Sequence, residues 1–103
     1  MIPDAITPIL GWRVWRADGR QLFSLNDTPW PIRAPLTTAE PIYEDDGDYP
    51  QGAVGIHAFR RLSQCYTGGV GPWVGGVVGR VALWGRVAIH ALGYRAEQAY
   101  PVA

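Results

Sequence analysis

The sequence predicts a β-rich α+β domain: a small, strongly bent sheet or barrel of five to six strands with one short helix. Three observations carry this. Residues 77–100, VVGRVALWGRVAIHALGYRAEQAY, contain no proline although nine are scattered elsewhere, and they alternate in chemistry. Val77, Val81, Leu83, Val87 and Ile89 fall on one side of an extended chain, with Gly79 and Gly85 between them. Arg80, Trp84, Arg86 and His90 fall on the other, as successive side chains of a strand must. The third observation is an Asp-Gly pair at Asp18-Gly19, the dipeptide of tight hairpins, set between two alternating segments.

The elements follow in order. Residues 1–8 hold two prolines and little pattern and read as a lead-in. Residues 9–16 (ILGWRVWR) alternate Trp12 and Val14 with Arg13 and Trp15, and residues 21–25 (QLFSL) form the returning strand. Residues 26–50 are irregular, because Pro29, Pro31, Pro35, Pro41 and Pro50 oppose a long helix or a central strand. Ile42-Tyr43 is the one place there where brief pairing is expected, and Asp46-Gly47-Asp48 reads as a turn. Residues 52–58 suggest a short strand. Phe59, Leu62 and Cys65 or Tyr66 recur at helical spacing, so a short helix is expected over 57–66, ended by Gly68-Gly69. Residues 67–76 form a glycine-rich loop holding Trp73. A helix over 77–92 is the rival to the long strand, but its glycines each cost about 1 kcal/mol in a helix interior and its valines favour a strand. Fourteen extended residues span about 45 Å, so the strand must bend, and Gly85 is the expected place. After Leu92-Gly93 a last strand runs to Pro101.

One hundred and three residues make a single domain, 1–103, and 48% hydrophobic content with five Trp and five Tyr can build its core. Cys65 is the sole cysteine, which excludes an intrachain disulfide and a cysteine-based metal site. Arg80 and Arg86 interrupt the most apolar stretch, 70–92, so no membrane span is expected. The opening residues do not read as a signal peptide, and a cytoplasmic location is the expectation. All nine basic residues are Arg, and five of nine acids (Glu40, Glu44, Asp45, Asp46, Asp48) share one short window. The rest of the chain therefore carries an excess of positive charge, suited either to a solvated surface or to an anionic partner.

The chemistry-bearing residues point away from catalysis. His57 and His90 are isolated, and no metal or other cofactor is expected. Cys65 lacks a nucleophile signature, no serine sits in a nucleophile elbow, and the glycine-rich loop lacks a P-loop lysine. A binding face is the stronger reading. It comprises Arg80, Trp84, Arg86 and His90 from the long strand, Tyr94 and Arg95 from the next, and Trp30, held between two prolines. Trp, Tyr and Arg dominate protein–protein hot spots, and the same residues stack bases and pair phosphates. The competing reading covers this face with the helix or the proline-rich segment and puts Trp84 in a second small core. Arg95–Glu97 reads as a surface ion pair.

Residues 78–101, VGRVALWGRVAIHALGYRAEQAYP, with Gly55-Ile56-His57-Ala58 and the opening Gly11-Trp12-Arg13-Val14-Trp15-Arg16, resemble a family of small proteins of actinobacteria and their phages. The resemblance covers about half the chain and implies a phage or prophage origin more than an activity. Relatives carry a Cys-x-Cys before the Gly-Ile segment and another Cys upstream. Gly52, Val54 and Glu40 stand there in this chain, so any metal site those cysteines form is lost. A fainter resemblance, of the GIHA and VVGRVAL strands, is to PUA-like and ASCH-like barrels, which implies RNA or modified-base binding. Three functions stay open. The first is a non-catalytic interaction protein that binds a host protein through its aromatic and arginine face. The second is a nucleic-acid or nucleotide binder with a continuous basic groove joining Arg80, Arg86 and Arg95. The third is a small hydrolase or transferase. The loop 68–76 suits a homodimer as readily as a ligand.

Overall fold

In a computed structural model, which describes residues 4–18, 21–24, 28–38, 55–66 and 76–102, two long strands form the frame. β1 (Asp4–Asp18) and β5 (Gly76–Ile89) pair antiparallel over most of their length. β2 (Gln21–Phe23) returns from β1 as the expected hairpin, Asp18 opposite Gln21 and Arg16 opposite Phe23. β3 is Leu36–Thr37 and β4 is Ile56–Phe59. β6 (Gly93–Pro101) pairs with β5, β4 and β3. The single pair Trp12–Phe59 joins β1 to β4. Strands β1, β4, β6 and β5 thus close a four-stranded barrel, which β2 and β3 extend.

Closure needs bent strands. The molecule is 36 Å along its longest axis, less than the length of a straight fourteen-residue strand, about 45 Å. β5 bends at Gly85, whose φ is +76°. The β5–β6 register shifts there, between Trp84 and Val87, so one extra residue bulges out. Glu97 seals the bulge by accepting the Arg86 backbone N–H at 3.1 Å. β1 shifts register beside it, between Ala5 and Ile9. The lead-in expected over residues 1–8 is therefore strand from Asp4 onward. Pro8 sits in the irregular stretch, where a residue without an N–H is tolerated.

The core lies inside the barrel. Trp15, Trp30, Ile56, Ala58, Val81, Leu83, Val87, Ala96 and Ala99 form one buried cluster, with Ile9, Leu22, Leu36 and Tyr94 packed against it. The middle of the apolar side of β5 is buried as expected, whereas Val77 and Ile89 at its ends are exposed. Gly11 allows the closing seam. A Cβ there would stand 2.9 Å from Ala58 Cβ and 3.1 Å from the Phe59 carbonyl.

Trp30 caps one end of the core. Phe23 bridges to Pro29, and the Trp30 N–H donates to the Leu22 carbonyl at 2.9 Å. Its indole packs edge-on to Trp15, centroids 5.4 Å apart, and donates from Nε1 to Ser24 Oγ at 2.7 Å. Arg13 follows Gly11 and precedes Trp15 on the inward side of β1. Its guanidinium lies over the Trp30 ring and donates to Ser24 Oγ and the His57 carbonyl. The expected helix over 57–66 is instead strand β4 followed by one 3-10 turn, Leu62–Tyr66. Barrel pairing with Tyr94 and Arg95 claims the first residues of that segment. The expected pairing at Ile42-Tyr43, the turn at 46–48 and the loop through Trp73 lie outside the described residues; strand β3 falls just after Pro35.

Candidate binding face

Residues opposite each other in a ladder share a face of the sheet. Gly11 and Leu83 point inward, so their strand neighbours point out, and the register sorts these into rows. Trp12 of β1 stands opposite Arg80 of β5, and the Val102 N–H bonds to the Arg80 carbonyl on the other side. Leu10, Ala82 and Tyr100 form the next row. Trp84 and Gln98 follow, with Thr37 beyond them. Leu10, Tyr100 and Val102 are 45%, 36% and 50% exposed, and Trp12 and Trp84 are half-buried. The Arg80 guanidinium sits 5.3 Å from the Trp12 ring centroid. The result is a largely apolar and aromatic face across three strands, bordered by Gln98 and Thr37, with Arg80 stacked on Trp12.

The structure divides the residues grouped from sequence. Arg80 and Trp84 belong to this face. Arg86 is exposed beside the bulge and faces Asp4 at 3.8 Å, a surface pair of small energetic weight. Tyr94 and Arg95 do not flank Trp84, because the register sets Tyr94 opposite Ile89 and Ala58, and Arg95 opposite Ala88 and His57. Tyr94 packs on the core beneath the Arg60 guanidinium. Arg95 is fully buried, and its Nε donates to His90 Nε2 at 3.2 Å. Trp30 is a core residue, 2% exposed: of its two readings, plug of the core and exposed anchor, the structure has the plug, and Trp30 leaves the binding face. The surface ion pair Arg95–Glu97 is likewise replaced, since Arg95 is buried and Glu97 serves the bulge.

Sequence reasoning missed Leu10, Trp12, Tyr100 and Val102. Alternation places Trp12 opposite in sense to Trp15, but does not say which of the two faces water. The small-residue inward positions Gly11 and Ala58 were the available signal.

Cys65 is buried and in no disulfide, and burial pushes its thiol pKa up, which disfavours the thiolate. Among the described residues no three His, Cys, Asp or Glu lie together as metal ligands, and no helix is long and apolar enough to cross a membrane. Comparison with family models, curated proteins and solved structures finds no match.

Proposed function

We propose that this chain is a non-catalytic interaction domain that docks a protein partner on the outer face of β1, β5 and β6. If the phage resemblance gives its origin, the partner is a host protein. One observation carries the reading: the register sets Leu10, Trp12, Arg80, Trp84, Tyr100 and Val102 on one face of three paired strands, with Leu10, Tyr100 and Val102 exposed and the two tryptophans half-buried. Aromatic rings and an arginine with apolar surroundings are the composition of interface hot spots. The basic groove that nucleic-acid binding calls for lacks support, because Arg95 is buried and Arg86 faces Asp4.

The test is capture of partners with and without nuclease, comparing wild type with a Leu10→Arg, Trp84→Ala variant that circular dichroism finds folded. A specific protein retained after nuclease and lost in the variant supports the reading. Recovery of nucleic acid, with binding that falls steeply with salt, refutes it.

A further inference from the structure

Beside the docking face, a cavity of about 160 Å³ opens between the 28–33 segment and the end of β6. Leu22, Trp30, Pro31, Ile32, Tyr100 and Pro101 line it, and Arg33 is the charged residue among its described lining. A cavity of about 150 Å³ accepts a benzene-sized group, so the space fits one branched or aromatic side chain. Arg33 is distinctive in two ways. Its φ is +60°, and it is the only non-glycine with positive φ among the described residues. Such a conformation disfavours any side chain and persists where the surroundings impose it. Arg33 also makes no hydrogen bond or ion pair with a described residue. The exposed Arg33 guanidinium beside Leu22, Ile32 and Pro101 favours an anion, and carboxylate matches its fork of donors.

Tyr100 belongs both to this cavity and to the outer face, where it stands opposite Ala82. A chain that left the cavity over Tyr100 would pass onto the row formed by Ala82 and Leu10. We infer that the cavity takes the C-terminal residue of a polypeptide partner, its apolar side chain against Leu22, Trp30 and Ile32 and its carboxylate on Arg33. This rests on the docking reading above and names the part of the partner that it would hold.

The experiment measures fluorescence anisotropy with a library of short labelled peptides ending in Leu, Ile or Phe. Each is made as the free acid and as the matched C-terminal amide. Wild type, Arg33→Gly and Trp84→Ala are compared. Glycine suits φ +60°, so Arg33→Gly keeps or raises the melting temperature and its binding loss is not a folding loss. The expected result is free-acid binding that weakens about tenfold or more on amidation and in Arg33→Gly, as loss of a charge-assisted pair does. Equal binding of acid and amide, or binding unchanged in Arg33→Gly, overturns the inference, and so does absence of binding by every free acid. If such peptides bind but Trp84→Ala alone weakens them, the docking face stands and the cavity assignment falls. If Arg33→Gly abolishes binding and Trp84→Ala has no effect, the cavity stands and the docking face falls.

Discussion

Gly11→Ala is expected to open the seam that closes the barrel. The added Cβ would lie 2.9 Å from Ala58 Cβ and 3.1 Å from the Phe59 carbonyl oxygen, against ordinary carbon contacts of about 3.5–4.0 Å. Both obstacles belong to β4, and β4 joins β1 through the single pair Trp12–Phe59. The strain cannot be shed by rotating a long side chain, so the strands must move apart. Overpacking of this kind costs about 1–3 kcal/mol; a loss near 2 kcal/mol lowers the melting temperature of a chain this size by roughly 10 °C. Ala58→Gly alone removes a buried methyl and adds strand entropy, about 1.5 kcal/mol together. In the double variant the shorter contact is gone, so its loss should fall short of the sum of the two single losses by about 1 kcal/mol or more. Urea denaturation of the four proteins gives the cycle. Additivity within about 0.5 kcal/mol, or a Gly11→Ala variant as stable as wild type, would refute close approach at this seam.

Other outcomes follow from the same geometry. Gly85→Ala places a side chain at φ +76° with its Cβ 3.2 Å from Glu97 Oε1, and should destabilise by about 1–3 kcal/mol in denaturant titration. Trp30→Ala empties a core site and removes one of the two donors to Ser24 Oγ, for a loss of about 3–5 kcal/mol. Trp84→Ala should lose only about 1 kcal/mol while weakening partner binding; equal losses from the two tryptophans would contradict the division between core and face. Cys65 should resist iodoacetamide in the native protein and react fully in denaturant. Because burial raises its folded pKa, the unfolded chain loses this proton first as pH rises. Its contribution to stability is therefore present below the ordinary thiol pKa, about 8.5, and declines above it. Stability that rises with pH in a denaturant series from pH 8 to 10 would contradict this sign.

Local chemistry made several elements legible. The two-residue alternation over 77–100 marked β5 and β6, and Asp18-Gly19 marked the β1–β2 hairpin. The bend at Gly85 followed from comparing strand length with domain size. Part of the candidate face was legible too, since Arg80 and Trp84 share one side of a single strand. Their neighbours were not, because a ladder register depends on where two distant strands meet and on each bulge between them. The bulge at Gly85 shifts β6 by one residue against β5 and sets Arg95 beside Ala88 and His57.

The sequence by itself determined a strand-rich domain, because periodicity, turn residues and proline positions act within a few residues of chain. Tertiary structure decided what each decorated side chain became. Arg13 went inside because Gly11 and Trp15 share its side of β1, and its guanidinium meets Ser24 and the Trp30 ring there. Trp30 became a plug because the 28–31 segment folds back over the hairpin. Arg95 is buried while Arg80 remains at the surface, though both alternate with apolar neighbours in the same manner. A strand fixes only that neighbouring side chains point oppositely; which of them meets water is set by what packs against each side of the sheet.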